Sequence, residues 1–391
     1  MEEAVVLYPT PPIGHLRAMV ELGKAILSHQ PWLSIHVLIA TPPYQADATA
    51  PYIAAVSNSV PSITFHRLPE IILPPSSNVA NHEELTFEVL RLSNPHVHDA
   101  LVSISKKYKI QALVMDFFIS VGFQVAKELN IRPYYFNTCA AGTLACFFYL
   151  PTLGKQTTKS FKDMEGFVHV PGVPPIPAKD MMKPLLDRAK KAYECFSECS
   201  IAMSRSAGVI TNTFEALEPK VIKAIGNGLC VPDGPTPPIY CIGPLIASAD
   251  KKNGLAQCLT WLDLQPSKSV VFLCFGSLGL FSKEQLGEIA LGLERSGQRF
   301  LWVVRNNPSG NLGVAIKEQE EMKIALPMVE SENGFVNADE VEKRVRDLME
   351  SKQGKVVREK ITAMKGAAKA ALSEGGSSGV ELAKLVESWK H

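Results

Sequence analysis

The 391-residue sequence lacks the marks of several protein classes. It opens on the acidic Met1-Glu2-Glu3 and runs into a short apolar segment, without the basic n-region and longer apolar h-region of a secretory signal. Its apolar runs, such as Val270 to Phe275, are far too short to span a bilayer. The eight cysteines form no C-x-x-C pair, and without an export signal they read as reduced, mostly buried small apolar residues. An excess of one charge is missing too: 40 Lys and Arg against 39 Asp and Glu leave a net +1. No global field therefore draws the chain to nucleic acid or an anionic membrane. The expectation is a cytoplasmic monomer without a cofactor, whose partner is a small molecule.

Glycine motifs fail as well. No G-x-G-x-x-G follows a strand and no G-x-x-x-x-G-K-[ST] occurs. Gly276-Ser277-Leu278-Gly279 is not a nucleophile elbow, because position 275 is Phe where glycine is needed. Dehydrogenase, NTPase and α/β-hydrolase readings weaken together. Asp and Glu show no metal-ligand clustering, so no metal is expected. Eight of nine histidines lie at or before His169 and the ninth is His391, which leaves the second half almost no imidazole.

What is present is an alternation. The first 245 residues alternate β-branched apolar runs with amphipathic stretches, the pattern of a doubly wound parallel sheet. Strands are predicted at 4–8, 35–40, 63–67, 112–116, 133–136, 208–211 and 239–242. Leu16, Met19, Val20, Gly23, Ile26 and Leu27 recur at helical spacing, predicting a helix from about His15 to near His29. Further helices are predicted at about 83–105, 120–129, 184–206 and 214–226. The Pro- and Gly-bearing stretch 234–254, with a polar run from Ser248, reads as a linker. Beyond it, Val270 to Phe275 reads as a strand buried on both faces. Ser282 and Gln285 make a capping box for a helix to about 296, and Phe300 to Val304 forms the next strand. After Arg305 the pattern breaks into a polar, glycine-bearing stretch at 306–313 and a charge run at 318–321. Ile324 to Val329 carries Pro327, which argues against a central strand. The remainder is helical: Asn337 caps one helix, and two more follow at about 354–373 and 378–389. At roughly 150 residues per domain the length suits two domains, yet the second lobe is short of the five or six strands such a sheet needs.

In an open parallel sheet, ligands bind beyond the carboxyl ends of the strands, where strand order reverses. With the order 3-2-1-4-5, strands 1 and 4 are neighbours. Thr10-Pro-Pro-Ile-Gly-His15 and Val114-Met-Asp116-Phe-Phe118 then meet in the crevice, with His15 facing Asp116. A helix N-terminus disfavours imidazolium, which keeps His15 neutral and able to accept a proton near pH 7. A carboxylate on the other ring nitrogen fixes the tautomer and stabilises the imidazolium once formed. The alternative is a partly buried helix cap beside a strand-end hydrogen-bonding carboxylate. His36 and His66 lie inside predicted strands as packed core histidines, whereas His96 and His98 fall on a helix face. The Gly276-Ser277 turn follows a strand and precedes a helix start, where free amides either cradle a phosphate or simply turn the chain.

Four segments then carry a resemblance. Pro9-Thr-Pro-Pro-Ile-Gly-His15-Leu, Val114-Met-Asp116-Phe-Phe, Ile210-Thr-Asn-Thr-Phe-Glu-Ala-Leu-Glu218 and the run from Trp261 to Ser277 resemble the plant family 1 UDP-sugar glycosyltransferases. The resemblance covers nearly the whole chain and is closest in style to the flavonoid and isoflavonoid 7-O-glucosyltransferases. It implies an α/β fold of GT-B type, two Rossmann-like lobes with the second truncated. The acceptor would occupy the first lobe (1–245), the nucleotide sugar mainly the second (246–377), and the last helix (378–391) would cross back onto the first. It implies an inverting reaction in which His15 takes the acceptor hydroxyl proton, Asp116 holds the resulting imidazolium and UDP leaves. The UDP-sugar, glucose by implication, is a co-substrate, and no metal is expected. Thr138 matches the position that reaches the sugar, and Ser277 with Gly276 the one at the diphosphate. Acceptor-pocket candidates are Phe117, Phe118, Phe147, Met182 and Leu185, each equally readable as core.

The departure from the family is large. Its Trp-Ala-Pro-Gln and His-Cys-Gly-Trp-Asn-Ser elements and the Glu/Asp-Gln near the end of the same segment are absent, and the flanking sequences join near Glu320 and Glu321. The four tryptophans are Trp32, Trp261, Trp302 and Trp389. The gap corresponds to two or three βα units, roughly 60–90 residues at about 30 per unit. It removes the uracil-stacking Trp and the groups that hold phosphates and read glucose hydroxyls. Each lost hydrogen bond to a charged phosphate costs about 1.5–3 kcal/mol, which predicts a catalytic first lobe beside an impaired donor lobe. An unfinished second lobe also exposes sheet edges and apolar surface around Val270–Val304, an aggregation liability. The second reading is a phenol- or flavonoid-binding protein without turnover, or the product of a truncated gene.

Overall fold

The computed structural model describes residues 1–43, 49–73, 82–247, 257–276, 281–304, 324–331 and 334–390. The chain divides into two compact units, one formed by 1–247 with 367–391 and the other by 248–366.

The first unit runs β1 (Glu2–Tyr8), α1 (Ile13–His29), β2 (Ser34–Thr41), α2 (Ala50–Ser59), β3 (Ile63–Glu70), α3 (His82–Ser105), β4 (Tyr108–Asp116), α4 (Gly122–Glu128), β5 (Pro133–Asn137), α5 (Ala141–Gln156), β6 (Phe167–Val168), β7 (Ile176–Pro177), α6 (Lys191–Ser204), β8 (Gly208–Thr211), α7 (Pro219–Gly226) and β9 (Ile239–Cys241). Seven strands form one parallel sheet in the order β3-β2-β1-β4-β5-β8-β9, and β6 and β7 make a small antiparallel ribbon. Every residue of β1 from Ala4 to Tyr8 is buried, so the strand shows no polar alternation. Its side chains part to two cores: Val6 and Tyr8 join Leu113, Met115 and Tyr135 on one face, while Val5 and Leu7 join Ala112, Val114 and Phe136 on the other. Helix α1 lies on the second face through Leu16, Met19, Val20 and Ile26. A Cβ at Gly23 would stand 3.2 Å from Leu7 and 3.3 Å from Ile35, so glycine here lets the helix sit close on the sheet.

The second unit holds α8 (Gln257–Asp263), β10 (Val270–Leu273), α9 (Lys283–Ser296), β11 (Arg299–Trp302), α10 (Ala338–Glu350) and most of α11 (Lys352–Leu372). Strands β10 and β11 pair in parallel. The Ser282 hydroxyl accepts the Gln285 amide at 3.2 Å and Asn337 accepts the Glu340 amide at 2.9 Å, so both N-caps form, but the expected capping box does not close, because the Gln285 side chain bonds the Val336 backbone instead. Ile289, Leu293, Val341 and Val345 make a small core with Val271, Leu273 and Trp302. The chain returns to the first unit through α12 (Ser377–Glu387), whose Leu382, Leu385 and Val386 join the core beneath α1, with Trp389 just beyond it. The Arg132 guanidinium donates to the carbonyls of Ser388 and Trp389, and Tyr134 meets Ser388 at 2.9 Å.

Three further expectations change. Strand β10 is not buried on both faces: Val271 and Leu273 turn to the core, while Phe272 is 63% exposed. Residues 324–329 form no strand, in keeping with Pro327. The helix expected from 184 begins at Lys191, because Pro184 sits in a separate 3-10 turn over Lys183–Leu185. The linker run 248–254, the stretch 306–321 and Ser277 lie outside the described residues.

Candidate active site

The sheet order reverses at β1, whose neighbours are β2 and β4. Beyond β1 the chain turns through Pro11 and Pro12 into α1, and His15 is the third residue of that helix, its amide bonded to the Pro12 carbonyl at 3.0 Å. Asp116 is the last residue of β4. Strand pairing across 101 residues brings His15 Nδ1 to 2.7 Å from Asp116 Oδ2. Asp116 is fully buried, and its Oδ1 accepts the Phe118 amide at 3.2 Å. A carboxylate only accepts, so Nδ1 carries the proton and Nε2 is left as the lone-pair nitrogen of a neutral ring. The imidazole keeps 23% of its surface open.

Burial opposes the imidazolium, but the Asp116 charge and its hydrogen bond outweigh it, and His15 titrates above its ordinary value. The helix N-terminus acts in the opposite sense on the same ring. A full carboxylate charge at hydrogen-bond distance exceeds the partial charge of a helix end.

The ring stands against aromatics. Phe118 lies edge-on at 5.5 Å and Phe117 at 5.9 Å between centroids. Phe117 continues to Phe147 of α5 at 5.4 Å, and Phe147 stacks on Phe196 of α6 at 5.6 Å. Phe87 of α3 closes the cluster against Phe118 and Phe196. Sequence reasoning missed Phe87 and Phe196, since no local signal distinguishes them from other apolar residues of amphipathic helices. Phe118 and Met182 are half-buried at the edge of this core, whereas Phe147 and Leu185 are buried within it. Thr138 follows β5 directly and is half-buried. Gly276 has φ +70°, a turn conformation that suits glycine.

The other histidines are placed differently. His36 is buried in β2 with its Nδ1 2.8 Å from Nε2 of His66 on β3. His96 and His98 lie on α3. Among the described residues no group of three or more His, Cys, Asp or Glu side chains is arranged to hold a metal ion, and no helix is long and apolar enough to cross a membrane.

No protein-family model matches the chain. Individual relatives do. UDP-glycosyltransferase 88B1 of Stevia rebaudiana is 42% identical over 459 aligned positions that cover 99% of each chain. Anthocyanidin 5,3-O-glucosyltransferase of a Rosa hybrid cultivar is 39% identical over 476 positions, again 99% of each chain. Among solved structures, Phytolacca americana UGT2 complexed with UDP-2fluoro-glucose and pterostilbene superposes with a TM-score of 0.88 at 30% identity, covering 100% of both chains. Its α/β fold is therefore of the GT-B type, and with this degree of identity along its whole length the chain belongs to the plant UDP-glycosyltransferase family.

Proposed function

We propose that the chain binds a phenolic acceptor of flavonoid type beside His15 and directs its hydroxyl to C1 of glucose carried by UDP. The observation that carries this reading is the 2.7 Å pairing of His15 with a fully buried Asp116, next to a phenylalanine cluster. In the step, Nε2 takes the acceptor proton while the acceptor oxygen bonds to C1. The bond from C1 to the diphosphate oxygen breaks, UDP leaves with the electron pair and the anomeric centre inverts. Asp116 stabilises the imidazolium so formed. A phenol suits this base, because its lower pKa eases proton removal. Relatives named for anthocyanidin and isoflavone glucosylation support the acceptor class.

Turnover is low in this reading. The Stevia alignment spans 459 positions against 391 residues in the whole chain, so at least 68 positions (459 less 391) are filled by the relative and not by this chain. Such a difference agrees with loss of two or three βα units near Glu320 and Glu321, in the segment that carries the family's donor-binding elements. That observation also favours the second reading, a flavonoid-binding protein without turnover. Incubation of the purified chain with UDP-glucose and a flavonoid panel separates them, alongside calorimetric titration of each flavonoid. The expected result is saturable flavonoid binding with glucoside formation far below that of the intact relatives. Turnover equal to theirs overturns the impaired donor site, complete absence of glucoside favours the binding protein, and absence of flavonoid binding overturns the acceptor site.

A further inference from the structure

Of the four sequence segments singled out above, Ile210–Glu218 takes no part in the proton transfer. It ends on Glu218, which caps α7 in position but hydrogen-bonds elsewhere. Glu218 is buried, and its carboxylate accepts the first two amides of α5: Oε2 from Ala141 and Oε1 from Gly142, each at 2.8 Å. The Thr213 hydroxyl also donates to Oε2. On the other side of the same loop, the fully buried Asn137 donates through Nδ2 to the carbonyls of Cys139 and Ala140 and to Thr211 Oγ1, at 3.1, 3.0 and 3.1 Å. The Thr211 hydroxyl in turn donates to the Cys139 carbonyl at 3.2 Å. Residues 138–140 form the whole connection between β5 and α5, and side chains take the carbonyls of Cys139 and Ala140 and the two amides that follow.

A local cap would need only a Ser or Asp at position 140. The chain has Ala140 there, without a side-chain hydrogen bond, and reaches 77 residues along the sequence for a carboxylate. Burying that group is costly unless donors surround it; two first-turn amides, a hydroxyl and the helix dipole supply the compensation. The result is a cross-tie rather than a cap, because α5 cannot shift relative to β5 and β8 without stranding a buried carboxylate. Two candidate residues ride on that tie. Thr138 stands on the loop itself, and Phe147, on α5, contacts Phe117 and Phe196.

We propose that Glu218 is a positioning residue of the acceptor site, holding the Thr138 loop and Phe147 in place from outside the crevice. This rests on the reading of the site given above. In the Glu218→Gln variant an NH2 group faces an amide donor, so one of the two α5 amides loses its partner. A stranded buried donor changes a local equilibrium by about five- to 150-fold. Hydrogen-exchange mass spectrometry of the full chain is expected to show residues 138–147 exchanging about tenfold faster in Glu218→Gln, with 4–8 and 112–118 unchanged. Calorimetric titration with quercetin is expected to show about fivefold or greater loss of affinity, which mere loss of helix stability would not produce in a folded protein. Unchanged exchange overturns the proposal, as does faster exchange with unchanged quercetin affinity. Should Glu218→Gln not fold, Thr213→Val removes one donor to the same carboxylate, and the same pair of readouts decides on a smaller scale. A wild-type chain that binds no quercetin overturns the acceptor-site reading instead, and the exchange measurement, which needs no ligand, tells the two failures apart.

Discussion

Strands β1 and β10 are both short, parallel and apolar, yet they meet different surroundings. From Ala4 to Tyr8 every side chain of β1 is buried, with alternate residues entering two separate cores. In β10 only Val271 and Leu273 reach a core, and Phe272 between them is 63% exposed. A parallel strand is an unbroken apolar run because both of its faces are meant to be covered. The run Val270–Leu273 has that composition, but among the described residues only one of its faces joins a core. Strand formation and strand burial are therefore separate events. The first needs a sequence and one neighbour, while the second needs a complete set of layers.

The largest test of this comparison is to complete the second unit. On the proposed reading of an impaired donor lobe, inserting between Glu320 and Glu321 the residues of the Stevia relative that this chain does not match should raise glucoside formation by about a hundredfold or more, since several phosphate and sugar hydrogen bonds would form at about 1.5–3 kcal/mol each. Initial rates of UDP release measure it, and an unchanged rate overturns the proposed impairment of the donor lobe. In that completed chain, His15→Ala should lower the rate by about 10²–10⁴-fold, the range of a general base, while quercetin affinity persists.

Next comes a paired substitution. Phe147→Ala in the finished unit should cost about 3–5 kcal/mol in urea unfolding, whereas Phe272→Ser should cost under about 0.5 kcal/mol and reduce self-association in analytical ultracentrifugation. Equal costs would mean that Phe272 is as buried in solution as Phe147.

Acid should act on the finished unit. Burial, with the neighbouring His66 charge, lowers His36 from its ordinary 6.5 to about 4. Below pH 6.5 the unfolded chain therefore binds a proton that the folded chain refuses, and stability falls by roughly a kcal/mol per pH unit until about pH 4. Unfolding midpoints across this range check it, and His36→Leu should flatten the slope. His15 gives the smallest effect and the opposite sign. Its raised value means that its pairing with Asp116 stabilises the fold below pH 6.5, and that this contribution fades as pH rises through the folded value. A base must be neutral, so the rate of the completed chain should climb across the same interval, and Asp116→Asn should shift that climb to lower pH.

Much of the first unit was legible in the sequence. All seven strands appear where β-branched runs predicted them, because each run is long enough and flanked by turn residues. Helix α5 was not legible. Apolar residues surround it and it carries Pro151, so no amphipathic period marks it. Helix α2, ten residues with Pro51 at its start, is too short to show a period. The pairing of His15 with Asp116 was readable because sheet order alone makes β1 and β4 neighbours. The aromatic cluster was readable only in part, since Phe87 and Phe196 come from two helices whose approach no local pattern encodes.

Local sequence set the seven strands of the first unit's sheet, the caps at Ser282 and Asn337, the switch-point residues and the family. Those depend on short-range chemistry, or on a topology with few alternatives. Packing decided the rest: that the Asp116 charge lifts His15 against the effect of burial, that Phe272 faces outward, and that Glu218 serves a helix 77 residues away. Each turns on which groups stand within a few ångströms of one another. That distance is set by packing of the whole unit and is written in no single segment.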